Sequence, residues 1–393
     1  MPYLNECALL CALGSELPAI RRRLLIEAES GLETVDACSP GRPLPIGRVH
    51  AALPPVDHLP LPLRSRNNQL ALAALAQIRP AVEAAIARYG AHRVGVVLGT
   101  STSGVGETES AIAARLKSGV LPAGFHYGQQ EMASSAELLA RELGVSGPAY
   151  VHSSACSSSA KALASAARLI RMGLVDAVVT GGVDTLCAFT VAGFSELESV
   201  SDTRCHPLGE GRKGINIGEG AALFLMSREP AAVALCGWGE SSDGHHMSAP
   251  DPEGGGARIA MREALARAGI EAGQVDYINL HGTATPQNDA MESRAVHALF
   301  GPEVAVSSTK PFTGHTLGAA GAVEAAFCWL AMQDDNLDGI LPPHLWNGAP
   351  DPALPALRVA QKGDRLGRPI RYALSNSFAF GGSNASLLFG RTR

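Results

Sequence analysis

The 393-residue sequence contains few charged and few aromatic side chains, 18% and 5% of the chain. Its formal net charge is −5, and no long basic run and no interleaving of basic with aromatic residues occurs. Because nucleic-acid binding requires clustered lysine and arginine against phosphates, we expect no nucleic-acid partner. The hydrophobic fraction of 46% predicts a folded chain with a large buried core rather than a disordered one.

Paired cysteine motifs and long apolar runs are also missing. The eight cysteines lack CxxC spacing, which fits neither a disulfide framework nor a zinc cage. No uninterrupted apolar run reaches the ~18 residues that a membrane helix needs. The opening MPYLNECALLCALG carries an acid where a secretory signal carries positive charge. We therefore expect a cytoplasmic protein in a reducing compartment, without membrane insertion.

Short β-branched runs bounded by glycine alternate with stretches rich in alanine and leucine. Residues 93–100, 175–184 and 233–242 are predicted strands, and residues 136–144 are a predicted helix that ends at glycine. Such alternation is typical of a mostly parallel sheet covered by helices. The sequence thus predicts an α/β fold.

The chain divides near residue 230, where an apolar strand ends and a new series of elements begins. We predict an N-terminal half, residues 1–230, and a C-terminal half, residues 231–393. Residues 149–170 and 304–332 each combine an apolar strand, a Ser/Thr/Gly turn and a helix of small residues. This likeness predicts an internally duplicated fold, although strand, turn and helix recur in every α/β protein.

Cys156 ends an apolar strand and precedes apolar residues at helical spacing, among them Leu163 and Ile170. Unpaired N–H groups and the positive dipole end of a helix can lower a thiol pKa from ~8.5 to about 3.5–7.5. This placement makes Cys156 a candidate nucleophile. The alternative is a small buried thiol in a tight strand-to-helix turn.

Two histidines follow strands in the same manner as the cysteine. His281 lies in INLHGTATPQND, and His315 lies five residues after Lys310 in SSTKPFTGHTLGAAGAVEAA. A single histidine is usually a satisfied core or surface group. Two of them at strand exits, one with a nearby cation, favour nucleophilic catalysis with Cys156.

A glycine turn flanked by phenylalanines occurs in NSFAFGGSNA, residues 376–385. Such a turn can aim backbone N–H groups at a developing oxyanion while an aromatic ring covers the nucleophile. An ordinary hairpin with core phenylalanines is the alternative.

These motifs resemble those of the condensing β-ketoacyl synthases, the chain-elongating type that acts on acyl-carrier-protein thioesters. SSACSSSA around Cys156, HGTATPQND around His281, STKPFTGHTLGAAGAVEA with Lys310, His315 and Glu324, and NSFAFGGSNA occur in the order of that family. The resemblance spans nearly the whole chain. It implies a thiolase-like α/β fold in which two duplicated halves form a five-layered αβαβα core.

The resemblance also implies an acyltransferase reaction, a decarboxylative Claisen condensation that yields 3-oxoacyl carrier protein and carbon dioxide. Cys156 would accept the acyl group, and His281 and His315 would stabilise the enolate formed from the malonyl thioester. Lys310 would order the site electrostatically with Glu324 as its partner. An ordinary buried ion pair is the alternative for these two residues.

Further residues are implied in substrate handling. Phe380 would gate the acyl pocket and, with the N–H of Cys156, form the oxyanion hole. No metal or resident cofactor is implied, because phosphopantetheine arrives on the carrier protein. The residues implied to hold the pantetheine arm are Thr283, Thr285 and Ser248, and those implied to contact the substrate are Phe378, Gly381 and Gly382. Arg64 and Arg66 are implied to dock the carrier protein. The alternative for these two arginines is the solvated start of a helix.

The expected partners are an acyl carrier protein bearing acyl and malonyl groups and a second synthase-like subunit. Family members dimerise through the strand before the cysteine, here near residues 149–153, as homodimers or with a chain-length-factor-like subunit. Ala379 and Ser383 stand where the family more often has glycine and threonine. These departures admit a specialised polyketide or aryl-polyene pathway as readily as fatty-acid elongation.

Two other functions compete with condensation. A degradative thiolase would need a second cysteine in the C-terminal glycine turn, and residues 381–383 read GGS. A non-catalytic subunit of the chain-length-factor type usually lacks the nucleophile, whereas Cys156, His281 and His315 are all present here.

Overall fold

The computed structural model describes residues 1–392, and residue 393 of the predicted C-terminal half lies outside it. The described residues contain thirteen strands and ten α-helices. The strands are β1 (Tyr3–Leu10), β2 (Glu33–Val35), β3 (Leu44–Ile46), β4 (Val94–Gly99), β5 (Ala149–His152), β6 (Ala177–Asp184), β7 (Gly220–Ser227), β8 (Val233–Ser242), β9 (Tyr277–Asn279), β10 (Ala305–Ser307), β11 (Arg358–Val359), β12 (Tyr372–Ala379) and β13 (Ser383–Arg391). The helices are α1 (Leu17–Arg22), α2 (Arg66–Tyr89), α3 (Val105–Ser118), α4 (Ser134–Leu143), α5 (Ser158–Arg171), α6 (Ala188–Glu196), α7 (Gly255–Ala268), α8 (Pro286–Phe300), α9 (Lys310–Thr313) and α10 (Ala320–Ala331).

The large sheet consists of two groups of five strands with the same topology, plus the short strand β11. The first group has the order β5-β4-β6-β7-β1, and the second has the order β10-β9-β12-β13-β8. In both groups the first three strands are parallel and the last two pairings are antiparallel. A single backbone pair, Tyr3 with Ala234, joins the groups. The predicted internal duplication is therefore confirmed.

The helices form three layers around the two strand groups. Helices α5 and α10 pack against each other between them, α2 and α4 cover the outer face of the first group, and α7 and α8 lie on the side of the second. Helix α10 is apolar on almost every side and nearly all of it is buried, as a central helix must be. This arrangement is the five-layered α/β core that the resemblance implied.

Small residues bring the two central helices close together. A Cβ atom added at Gly321 on α10 would lie 2.8 Å from the Cβ of Ala160 on α5. Real Cβ contacts are longer than this, so only glycine fits at position 321 without a shift of the neighbouring helix. The segments that flank these two helices in the sequence carry the candidate catalytic residues. The close approach of the helices brings these segments toward one another.

The predicted elements lie where the sequence pattern places them, with small differences at their ends. Strand β8 has the predicted bounds, and β6 begins two residues later than predicted, at Ala177. Helix α4 ends at Gly144, whose φ of 62° is the left-handed conformation that favours glycine.

Helix α2 is the one helix among the described residues that is long and apolar enough to cross a membrane by length and composition. Its apolar side, with Leu70, Leu75, Ile78 and Val82, is buried in the core that includes the first strand group. A helix that covers a sheet needs such a face, so packing in the core accounts for the composition of α2.

Candidate active site

Each candidate catalytic residue follows a strand of the parallel part of its strand group. Cys156 lies between β5 and α5, His281 lies two residues after the end of β9, and His315 lies between α9 and α10 after β10. Functional residues of α/β proteins commonly lie at the carboxyl ends of parallel strands, because the loops there converge. Cys156 and His315 thus follow equivalent strands of the two halves, β5 and β10, whereas His281 follows β9, the counterpart of β4.

The three side chains converge on one buried cavity. The Cys156 sulfur and one ring nitrogen each of His281 and His315 all lie within 4.8 Å of one another. His315 Nε2 is 3.0 Å from Cys156 Sγ, and the two imidazole rings are 5.3 Å apart at an angle of 81°. All three residues are buried, with no more than 6% of any of them exposed. The structure therefore brings together the predicted nucleophile and both predicted histidines.

The environment of Cys156 differs from the sequence-based prediction. Helix α5 begins at Ser158, so the cysteine lies two residues before the helix, after Ala155 in a left-handed conformation with φ of 48°. Burial raises the pKa of Cys156 to about 11, although Lys310 and the backbone N–H of Phe380 oppose this shift. The prediction of a lowered pKa is wrong, because desolvation of the buried sulfur is the largest influence on the thiol.

Both histidines are neutral imidazoles. Burial, together with the positive charge of Lys310, holds the pKa of His281 and of His315 well below its usual value. Lys310 Nζ lies 3.4 Å from Nδ1 of His281, so this nitrogen accepts and the ring proton resides on Nε2. His315 presents Nε2 to the protonated Cys156 sulfur and can accept its proton.

Lys310 and Glu324 form a buried ion pair behind His281. Lys310 Nζ is 2.5 Å from Glu324 Oε1 and 2.5 Å from the carbonyl oxygen of His281. Burial raises the pKa of Glu324 to about 7, and the lysine charge acts in the opposite direction. The pair fixes the backbone and the ring of His281 at the same time.

The glycine turn lies between β12 and β13 and covers the sulfur. The backbone N–H of Phe380 donates to Cys156 Sγ, and the Phe380 ring packs at 5.6 Å against Phe194. Gly381 and Gly382 have φ values of 80° and 73°, and Gly381 N donates to a carbonyl of the facing loop. These glycines shape the turn through their backbone, whereas the rings of Phe378 and Phe380 line the cavity itself.

The residues predicted to hold the pantetheine arm also line the cavity. Thr283, Thr285 and Ser248 are among its lining residues. The hydroxyls of Thr283 and Thr285 are 2.9 Å apart, which makes them a paired hydrogen-bonding surface. Their role in binding stays a prediction.

The two arginines predicted to dock the carrier are held by internal partners. Arg66 forms a bidentate ion pair with Glu219, at 2.5 and 3.0 Å, and Glu219 is buried. Arg64 donates from Nε to the carbonyl oxygen of Leu59 at 2.7 Å. The Arg66 side chain is 38% exposed even with this ion pair, and Nε is the only Arg64 side-chain nitrogen with a hydrogen-bond partner among the described residues. Carrier docking by these two arginines stays a prediction.

Sequence reasoning missed Asp184, which anchors the segment after His315. Its carboxylate, fully buried at the end of β6, accepts hydrogen bonds of 2.5–3.0 Å from backbone and hydroxyl groups of residues 100–102. It also accepts from the N–H of Gly318 at 2.6 Å. A Cβ at Gly318 would lie 2.6 Å from the same carboxylate, so this approach requires glycine. The signal in the sequence that could have identified Asp184 is an acidic residue at the end of a buried strand.

Glu292 holds the backbone of His281 in a similar way. Its two carboxylate oxygens accept from the N–H groups of His281 and Gly282 at 2.8 and 2.7 Å. Burial raises the pKa of Glu292 to about 7, and these hydrogen bonds oppose the shift. The histidine is therefore positioned through its main chain by Glu292 and through its ring by Lys310.

We expect Asp184→Asn to lower kcat by roughly 10²-fold, because an amide nitrogen would face the Gly318 N–H and displace the His315 segment by a fraction of an ångström. KM should change little, since Asp184 does not line the cavity. Steady-state kinetics with the melting temperature as a fold check measures both. The control is Asp176→Asn, a carboxylate near the surface paired with Arg93. An unchanged kcat would contradict the positioning role.

Comparison with known proteins decides the family. The model of the β-ketoacyl synthase N-terminal domain matches residues 65–232, and that of the C-terminal domain matches residues 232–345. This chain belongs to the β-ketoacyl synthase family. Three of the four motifs identified in the sequence lie inside these matches, whereas NSFAFGGSNA, residues 376–385, follows the end of the C-terminal match at residue 345. The thiolase-like α/β fold is the one that the family implies.

Two relatives in sequence and one solved complex are the most informative. A 3-oxoacyl-[acyl-carrier-protein] synthase 2 from Staphylococcus aureus is 37% identical over 265 residues, which span 63% of this chain and only 64% of that protein. Nodulation protein E from Rhizobium sp. (strain N33) is 33% identical, with 97% of this chain and 96% of that protein covered. A ketosynthase (ApeO), solved in complex with its chain length factor (ApeC) from Xenorhabdus doucetiae, is 44% identical with a TM-score of 0.92, covering 100% of this chain and 98% of that one.

Proposed function

We propose that this chain is a β-ketoacyl-acyl-carrier-protein synthase that condenses an acyl group on Cys156 with malonyl carrier protein. The observation that carries the proposal is the buried convergence of one thiol and two neutral imidazoles on a single cavity. Neutral imidazoles can donate a hydrogen bond to an enolate oxygen without being consumed as acids. That is the chemistry that decarboxylation of a malonyl thioester needs.

In the first half-reaction the acyl group moves from the carrier to Cys156. His315 Nε2 accepts the thiol proton as the sulfur attacks the thioester carbonyl. The N–H of Phe380, with that of Cys156, stabilises the oxyanion that forms. The tetrahedral intermediate then expels the pantetheine thiolate, which takes up the proton and leaves as a thiol.

In the second half-reaction malonyl carrier protein enters the same cavity. The Nε2–H of His281 donates to the thioester oxygen while carbon dioxide leaves, which stabilises the enolate. His315 donates to the same oxygen in the tautomer that carries its proton on Nε2, which it can adopt once Cys156 is acylated and no thiol proton faces this nitrogen. The enolate carbon attacks the acyl carbonyl on Cys156, and the carbon–sulfur bond breaks. The released thiolate takes up one proton from solvent, which is the proton that the overall reaction consumes, and the product leaves as 3-oxoacyl carrier protein.

A degradative thiolase is the less favoured function. Among the described residues that line the cavity, Cys156 is the one cysteine. The turn 381–383 places no second thiol beside it, so the acid/base that thiolytic cleavage uses is missing from this wall of the cavity.

We propose a carrier protein and a second synthase-like subunit as partners. Within residues 1–392, β5 lies at the edge of the large sheet and pairs with β4 alone, so its other edge can accept a strand. Ile112 and Leu116 on α3 and Phe189 on the contacting helix α6 are exposed apolar residues that a subunit could cover. The ApeO relative, solved with its chain length factor, supports a heterodimer as well as a homodimer. Sedimentation of the chain alone, and of the chain co-expressed with a related subunit, tests this assembly. A monomer in both experiments would contradict it.

The domain division and the cellular location belong to the same proposal. The two family models meet at residue 232, which supports halves at residues 1–230 and 231–393. All eight cysteines are free thiols, which supports a reducing, cytoplasmic setting in which the nucleophile stays available.

The proposed function is tested with a panel of acyl carrier proteins that bear acyl groups of different length, mixed with malonyl carrier protein. We expect 3-oxoacyl carrier protein, two carbons longer than the acyl donor, by intact mass spectrometry. The chain length and pathway follow from which donor is used. Failure of every donor, with and without a related subunit, would contradict the proposal.

A further inference from the structure

The three groups that face the cavity are also a set of metal ligands. Cys156 offers a sulfur, and His281 and His315 each offer a ring nitrogen, with all three atoms within 4.8 Å of one another. In a tetrahedral zinc site, with metal–ligand distances of about 2.0–2.3 Å, neighbouring ligand atoms are roughly 3.3–3.6 Å apart. The 3.0 Å separation between His315 Nε2 and Cys156 Sγ lies close to that range. Side-chain movements of about an ångström would complete the site.

We infer that this cluster binds Zn²⁺ as a reversible inhibitor rather than as a cofactor. Zinc would form a bond to the Cys156 sulfur as the S–H bond breaks, releasing one proton, and would accept the Nε2 lone pair of His315. His281 would bind through Nε2 after its ring proton moves to Nδ1, which ends the hydrogen bond of that nitrogen with Lys310. Water in the cavity would occupy the fourth position. The inference depends on this geometry and goes beyond condensation itself.

The chemistry of the donors favours zinc over the common divalent cations. A thiolate with two imidazoles is a soft to borderline set that suits Zn²⁺ and Co²⁺, whereas Mg²⁺ and Ca²⁺ prefer oxygen ligands.

The charges around the cluster are close to balanced. The Lys310 ammonium, 3.4 Å from Nδ1 of His281, opposes a cation, but Glu324 pairs with it directly. The carboxylate of Asp184 acts on the Cys156 sulfur as a further negative charge. A metal that carries away the thiol proton and binds the resulting thiolate adds a single positive charge to this environment.

Zinc and an acyl group would compete for the same sulfur. A metal-loaded site would hold Cys156 as a coordinated thiolate and would keep both histidines from the thioester oxygen. The enzyme would therefore stop at the loading step, and an alkylating reagent would be excluded from the sulfur in the same way.

The test uses the full-length protein after treatment with a chelator. Co²⁺ is added as a visible reporter, since a thiolate bound to Co²⁺ gives a charge-transfer band that imidazole alone does not. Zn²⁺ is then added to displace it, and iodoacetamide labelling of Cys156 is followed by peptide mass. We expect one Co²⁺ per chain, loss of the band on addition of Zn²⁺, and labelling slowed at least about tenfold by Zn²⁺ but not by Mg²⁺.

Variants separate this site from adventitious binding. Cys156→Ser should abolish the band, and His281→Gln should weaken Co²⁺ binding by about tenfold or more, whereas Cys38→Ser, a half-buried cysteine that does not line the cavity, should leave both unchanged. Melting temperatures measured without metal establish that each variant is folded. A band that persists in Cys156→Ser, or unchanged labelling in the presence of Zn²⁺, would overturn the inference. Because no carrier substrate is used, these results are independent of the condensation assay.

Discussion

Replacement of Cys156 by alanine should abolish formation of 3-oxoacyl carrier protein and remove acylation of the protein. The side chain that forms the thioester is lost, and no other cysteine among the described residues lines the cavity. The expected fall in kcat is at least about 10⁴-fold, as for removal of a covalent nucleophile. Product formation and protein mass, measured in the same reaction, check both parts of the prediction.

Two further variants define what the alanine result means. Cys38→Ser should retain full activity, because Cys38 lies outside the cavity. Cys156→Gln should still release carbon dioxide from malonyl carrier protein, since an amide can occupy the place of the acyl group beside the Phe380 N–H. Condensation by either Cys156 variant would show that the nucleophile has been assigned incorrectly.

Replacement of His281 by alanine should separate the two half-reactions. We expect loading of Cys156 to continue near the rate of the unmodified protein, because His281 is not the group that faces the thiol proton. Decarboxylation should fall by about 10²–10³-fold, the cost of removing one donor to a developing oxyanion. Loading is read by intact protein mass, and decarboxylation is read by release of labelled carbon dioxide.

His315→Ala should impair both steps, since Nε2 of His315 is 3.0 Å from the Cys156 sulfur. The loss of this acceptor should slow loading by about 10²–10⁴-fold, in addition to the effect on decarboxylation. His297→Ala, an exposed residue on α8, is the matched control and should change neither rate. Normal carbon dioxide release from either active-site variant would show that the histidine is structural.

The nucleophile and its partners could be predicted because their signals are local. Cys156, His281 and His315 each follow an apolar strand in a short segment of characteristic composition, and such segments fold in a similar way wherever they occur. The same holds for β8, whose predicted and observed bounds agree. Duplication of the topology could be predicted as well, because residues 149–170 and 304–332 share one local pattern.

The remaining features depend on contacts between distant residues. The Arg66–Glu219 pair joins positions 153 residues apart, so the sequence near Arg66 gives no sign that its charge is already used. The carboxylate of Asp184 accepts a hydrogen bond from the N–H of Gly318, 134 residues away in the sequence. This contact forms only when both strand groups have folded. Burial raises the pKa of the Cys156 thiol, and this burial comes from residues distant in the sequence, which the local pattern around the cysteine does not show.

A single-turnover experiment tests the central claim most directly. The protein is first loaded from a carrier with an isotopically labelled acyl group, separated from the donor, and mixed with malonyl carrier protein. The account predicts that the label leaves Cys156 at the rate at which labelled 3-oxoacyl carrier protein and an equal amount of carbon dioxide appear. A label that stays on the protein, or that is released as free acid while carbon dioxide is lost, would contradict it.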